Sequence, residues 1–145
     1  LAGAVTAAGA AWAAPAAVQA LIDSYAAAGG ANFSADAGKA LFQANHTGGN
    51  VDTPSCTTCH TTDPKKVGHT RAGKEIAPMA SSLSPDRFTD PAKVEKWFGR
   101  NCNTVLGREC TAQEKGDILT WLAEEEERAE EAAEAANPGA TPVRP

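Results

Sequence analysis

Cys56-Thr57-Thr58-Cys59-His60 is the stretch on which the reading of this chain turns. Two thiols two residues apart, with an imidazole directly after the second, have the spacing of a covalent haem c attachment. The thiols can form thioethers with the vinyl groups of one porphyrin, and His60 can then give a ring nitrogen to the iron. Two plainer readings use the same residues: a CxxC redox pair, or half a zinc site beside an unrelated histidine. A finger-type zinc site needs more ligands at its own spacing, and the sequence contains no second CxxC. The motif leaves one axial face of the iron undecided. A strong ligand there confines the iron to electron transfer, whereas a weak or absent one opens it to a gas.

Around the motif, only residues 34 to 123 have the mixed composition of a packed core. A chain of 145 residues is sized for one domain. A core this small would draw much of its apolar centre from a buried porphyrin, so the apoprotein is expected to be marginal or unfolded. The chain divides into residues 1–16, a signal-peptide remnant or Ala-rich extension; 17–123, a cytochrome c domain; and 124–145, an acidic, partly disordered extension. The formal net charge of -5 argues against nucleic acid as a partner.

Cys102 and Cys110 are left over, and no histidine follows either, so one haem is expected and not two. Their seven-residue gap suits a local disulfide in an oxidising compartment, the alternative being a reduced structural pair. Residues 1–16 (Leu-Ala-Gly-Ala-Val-Thr-Ala-Ala-Gly-Ala-Ala-Trp-Ala-Ala-Pro-Ala) read as the end of a signal h-region with small-residue cleavage positions. There is no initiator Met and no basic n-region, so the numbering begins inside a precursor or at a processed end. The stretch is short for a membrane span and contains Pro15. The expectation is an exported, soluble, periplasmic protein.

Val18, Leu21, Ile22 and Tyr25 recur at helical spacing, with Gly29-Gly30 as a stop. Ser34 can cap a second helix with Ala37, Leu41 and Ala44 on one face and Phe42 beside them, although Gly38 weakens it. Residues 46–55 read as a polar loop, and the haem motif as a short helical turn. Residues 61–86 look irregular, broken by Pro64, Gly68, Gly73, Pro78 and Pro85. Ile76, Pro78, Met79 and Leu83 are its expected haem-edge contacts. Asp90-Pro91 starts a helix with Val94, Trp97 and Phe98 as its apolar face, Trp97 and Phe98 also being expected haem contacts. Arg100-Asn101-Cys102-Asn103 ends it or begins the next turn. Thr111-Ala112-Gln113-Glu114 is a capping-box signature opening a helix with Ile118, Leu119, Trp121 and Leu122. Glu124–Glu127, Glu130, Glu131 and Glu134 have helix propensity but no apolar stripe. They read as a solvated tail or a docking arm for a basic partner.

Composition and spacing leave Met79, His46, His69 and Asn101 as candidates for the second axial position. Methionine is a common ligand in electron-transfer cytochromes, and Met79 lies nineteen residues after His60. His46 and His69 are loop histidines. Asn101 offers a weak amide oxygen on a backbone that a disulfide at Cys102 would restrain.

Residues 36–123 resemble the small oxygen-binding cytochromes c called the sphaeroides haem protein family. The resemblance lies in the haem motif, Gly73-Lys74-Glu75-Ile76-Ala77-Pro78, Arg87-Phe88-Thr89-Asp90, Lys93-Val94-Glu95-Lys96-Trp97-Phe98, Arg100-Asn101-Cys102, Leu106-Gly107-Arg108-Glu109-Cys110-Thr111 and Glu114-Lys115-Gly116-Asp117. It implies an all-α, class I-like cytochrome c fold around one covalent haem c. It implies that Asn101 caps the iron and that Cys102 and Cys110 form the family's disulfide; no residue is assigned a catalytic role. It also implies oxygen or nitric oxide as ligand, with a dihaem cytochrome c or a membrane cytochrome b as electron donor, and leaves turnover open. The related double-prime cytochromes c are similar in the same segments but have histidine where Asn101 stands. Met79 departs from the family's commoner leucine. The rival readings are a plain electron carrier with a Met or His ligand, and a haem-containing docking subunit.

Overall fold

Helix ends in this chain follow the cap residues. In the computed structural model, which describes residues 15–139, Ser34 Oγ accepts the Ala37 N–H at 3.2 Å and opens α2, Ala35–Gln43. It follows α1, Ala16–Ala27, which ends ahead of Gly29. Asp90 accepts from the N–H groups of Ala92 and Lys93 at 3.1 and 3.3 Å, with Pro91 as the first residue of the helix it opens. Thr111 and Glu114 satisfy each other's backbone N–H groups in a full capping box at the start of the last helix. Each such cap contributes about 1 kcal/mol. Between them lie α3, Thr57–His60, and a two-residue antiparallel hairpin, β1 Gly68–His69 and β2 Glu75–Ile76. The capped helices that follow are α4, Pro91–Leu106, and α5, Ala112–Ala136. The signal-like stretch, residues 1–14, and residues 140–145 lie outside the described residues.

The core is α5 laid against α1 and α2. Leu119 and Trp121 are completely enclosed, with Val18, Leu21, Phe42, Ile118 and Leu122 around them. Full burial of such side chains contributes about 1.5–3 kcal/mol each. An exposed ion pair such as Arg71–Asp52, at 2.7 Å, contributes under about 1 kcal/mol. Packing therefore decides the fold. One polar bolt crosses three helices: Tyr25 of α1 donates to Glu95 of α4 at 2.5 Å, and Lys115 of α5 donates to the same carboxylate at 2.8 Å. Burial and the neighbouring Glu95 push the Tyr25 phenol well above its usual range.

Four sequence expectations change. The buried side of α2 is Ala35, Gly38 and Phe42, while Ala37 and Ala44 face solvent. Gly38 strengthens the fold here: a Cβ at this position would collide with the Asp117 carbonyl of α5, so only glycine lets the two helices approach this closely. Trp97 is not among the buried residues of α4. Val94, Cys102 and Val105 are buried with Phe98 beside them, and Phe98 meets Tyr25 edge-on at 6.3 Å. Trp97 falls on the adjoining stripe, 46% exposed, under the Arg100 guanidinium. α4 does not end at Arg100–Asn103. No breaker stands there, and the helix continues to Gly107, whose φ of 73° lets the chain turn away.

Finally, the line drawn after Ala123 falls inside a continuous helix. Glu126 is buried, accepting from Ser81 Oγ and the Ser82 N–H, each at 2.6 Å. At least the first turn of the acidic segment is thus part of the packed body.

Candidate functional site

The segment before the motif is tied down by backbone. His46 N–H donates to Pro54 at 2.7 Å, and Asn50 N–H donates to Thr104 of α4 at 2.8 Å. Gly48 and Gly49 lie so close to the carbonyls of Thr104, Val105 and Leu106 that neither has room for a Cβ. This contact sets the last turn of α4, Thr104 to Leu106, against the loop that leads into Cys56. The sequence reading took these glycines as loop residues, because a close-approach glycine and a turn glycine look alike in a string.

Ser55 then sets the motif. Its buried hydroxyl donates to the Phe42 carbonyl at 3.1 Å, meets Thr57 Oγ1 at 2.8 Å and accepts the Thr57 N–H at 3.2 Å. α3 follows as a single helical turn with Cys56 at its cap, so both thiols and His60 come from one turn of chain. Thr61 reverses the backbone at a φ of 65°, strained for a β-branched residue. Its hydroxyl donates to the Asp63 carbonyl at 3.0 Å.

Cys56 and Cys59 are free, and both are half-buried. Burial pushes the Cys56 thiol up to about 11. A redox CxxC works through a depressed thiol, so this environment disfavours that reading. Among the described residues no group of three or more His, Cys, Asp or Glu could hold a metal ion. The His60 imidazole is pushed down to about 4, by burial first and by the Arg87 charge second. It is therefore neutral at ordinary pH and keeps a lone pair for a metal. Its ring lies 5.9 Å from Phe42, which in turn lies 5.1 Å from Trp121. Cys56 and Met79 both pack against the core. Thr53, three residues before Cys56, has a buried hydroxyl with no partner among the described residues. Two thiols, a neutral imidazole, an apolar floor and an orphaned hydroxyl fit a haem.

The other expected site residues are distributed around this turn. Ile76, Pro78 and Met79 are half-buried and Leu83 is exposed. The loop that carries them is docked on the segment following His60, through Ala80 N–H on the Pro64 carbonyl at 2.9 Å. His46 uses its ring Nε2 on the Leu41 carbonyl at 2.9 Å, a structural bond. His69 is exposed in β1, paired with Glu75. Asn101 is exposed on α4, and its side chain makes no hydrogen bond among the described residues. The next residue, Cys102, is buried and paired with Cys110, their Cα atoms 5.6 Å apart.

A family model described as a domain of unknown function, DUF1924, matches residues 28–122. Cytochrome c-type protein SHP of Cereibacter sphaeroides is 62% identical over 103 residues, 71% of this chain and 80% of that protein. The chain belongs to the SHP family of c-type cytochromes. The solved structure of oxidized SHP, described as an oxygen binding cytochrome c, superposes with a TM-score of 0.71 at 60% identity. That match covers 74% of this chain and 96% of the other. Cytochrome c'' of Methylophilus methylotrophus is 42% identical over 69 residues, 47% of this chain and 48% of that protein. Its oxidized crystal structure superposes with a TM-score of 0.62 at 33% identity, covering 73% of this chain and 92% of the other. This SHP-family chain is therefore a monohaem cytochrome c with covalent haem c, in an all-α, class I-like fold with one small hairpin. No helix among the described residues is long and apolar enough to cross a membrane.

Proposed function

We propose that this cytochrome binds oxygen or nitric oxide behind a weak, redox-labile cap. The observation that carries the reading is Asn101: an amide side chain without a hydrogen-bond partner among the described residues, next to a paired cysteine on the helix whose last turn is docked on the loop leading into the haem motif. Its SHP relative, described as an oxygen binding cytochrome c, supports the same reading. Bound haem would supply a redox-active iron. Cys56 and Cys59 would anchor it as thioethers, and His60 would give the iron a neutral nitrogen. Asn101 would offer its amide oxygen as a weak, replaceable ligand. The same amide carries an N–H donor for a diatomic guest. The Cys102–Cys110 pair, oxidised, restrains the backbone next to Asn101. Residues 17–123 act as the cytochrome unit, with 124–145 an extension docked by its first turn. Electrons arrive from a dihaem cytochrome c or a membrane cytochrome b, in the periplasm.

The electron-carrier alternative needs a strong second ligand. His46 is engaged with Leu41, and the loop bearing Met79 is fastened to the segment after His60, which supports neither as that ligand. The reduced protein decides between the readings. Its absorption spectrum is expected to be high-spin and to shift at once on adding carbon monoxide. A low-spin spectrum that ignores the gas would make this protein an electron carrier.

A further inference from the structure

We infer that Glu126 is a clasp: its carboxylate closes the irregular segment 61–89 onto α5 and sets how often that segment comes open. The segment contains no helix and only the four residues of the hairpin. Within it, the N–H groups of Leu83 and Ser84 both donate to the Ala80 carbonyl, at 3.1 and 3.0 Å, and form a tight turn. That turn presents two adjacent donors to α5. Ser81 Oγ donates to Glu126 Oε2 and the Ser82 N–H donates to Oε1, each at 2.6 Å. One buried carboxylate thus takes a donor on each oxygen. Hydrogen bonds to an ionised acceptor are short and about twice as strong as neutral ones. Every partner in the clasp belongs to the chain itself.

The other side-chain hydrogen bonds from this segment to the rest of the described chain lie in water. Arg71 and Asp52 meet with both side chains exposed, and Gln43 reaches the Thr62 carbonyl only at 3.5 Å. Exposed pairs hold little. Met79 and Phe88 add apolar contacts with the core on either side of the turn. Glu126 is therefore the strongest polar tie among them. The seam it closes is tight. Ala80 is buried there, and with Pro64, Leu122 and Ala129 it lines a cavity of about 10 Å³. That is the lower limit for one water, so solvent has almost no room to replace the carboxylate. Glu126 also lies beyond residues 28–122, where the family model matches, in the acidic segment that follows. A residue of the extension thus governs the loop that carries Ile76, Pro78 and Met79. The gas-binding reading makes no use of it.

The test is cleavage of the haem-loaded full chain by dilute thermolysin, with the cut positions located by mass spectrometry. This protease cuts ahead of bulky apolar residues, and Leu83, directly after Ser82, is such a site. With little protease, the rate reads the population of the open form. Glu126→Ala is expected to speed cleavage within residues 76–88 about tenfold, the scale of one hydrogen bond to a charged group. Glu126→Gln is expected to fall between Ala and wild type, since its amide keeps an acceptor oxygen for the Ser82 N–H. Ser81→Ala removes one of the two donors and is expected to speed cleavage about threefold. Glu127→Ala removes the neighbouring carboxylate, which makes no hydrogen bond to the segment among the described residues, and is expected to cleave like wild type. A wild-type rate in Glu126→Ala overturns the inference, as does an equal rise in Glu127→Ala. So does a Glu126→Ala protein cut in α1 and α2 as readily as in residues 76–88, which would mean general loosening. If Glu126→Ala does not accumulate with haem, Glu126→Gln and Ser81→Ala carry the comparison, and wild-type rates in both overturn it.

Discussion

With Cys56 and Cys59 both replaced by serine, the chain is expected to emerge without covalent haem and without most of its cooperative fold. Cys56 packs on the cluster formed by α1, α2 and α5, and the motif is a single turn held mainly by Ser55 and the loop before it. A ligand present at a thousand times its dissociation constant stabilises the native state by about 4 kcal/mol. A covalently retained haem contributes at least on that scale, and domains are stable by only about 5–15 kcal/mol. Intact-mass spectrometry of the wild type is expected to show the mass of one haem added and the double variant none. Thermal melting by far-UV circular dichroism is expected to become broad, with a large loss of midpoint. A double variant that keeps the haem mass, or melts like the wild type, would remove the motif from its assigned role.

The second large effect is expected at Asn101. Asn101→Ala removes an exposed side chain with no hydrogen-bond partner among the described residues, so the melting temperature is expected to change little. The oxidised spectrum is expected to lose the signature of a protein-derived sixth ligand. Release of oxygen from the reduced protein is expected to quicken about tenfold, the scale of one lost hydrogen bond of about 1.5 kcal/mol. Met79→Leu is the matched control and is expected to leave both oxidation states unchanged. Stopped-flow spectroscopy of the two variants reads these effects. An Asn101→Ala protein identical to wild type in both states, with Met79→Leu the one that changes, would transfer the axial role to Met79.

Much of the fold was legible because its signals are local. The caps at Ser34, Asp90 and Thr111 act within three residues of themselves, and each opens the helix expected of it. The haem motif is five residues long and is read at once. What escaped the sequence depends on partners far along the chain. Gly38 looked like a weakness in α2 until Asp117 stood against it. Gly48 and Gly49 looked like loop filler until α4 stood against them. Glu126 sits in an acidic run whose members mostly face water, and only Ser81 and Ser82, more than forty residues away, explain its burial. Asn101 is a different case. An exposed amide on a helix carries no physical signal of its own, and only the family resemblance singled it out.

The segment from Thr61 to Thr89 contains no regular element beyond two residue pairs; among the described residues its side-chain hydrogen bonds to the rest of the chain are those of Ser81 and Ser82 with Glu126, Arg71 with Asp52 and Gln43 with Thr62, and Phe88 and Met79 pack on the core. Such a stretch exchanges with solvent by sub-global opening, at a free energy below that of the helical body. Its hydrogen-bonded amides, Ala80 and Ser82 among them, therefore report on a separate cooperative unit. The flank of the molecule that carries His60 can breathe while the capped helices stay closed. Water and small solutes thus have a route to His60 that does not pass Asn101.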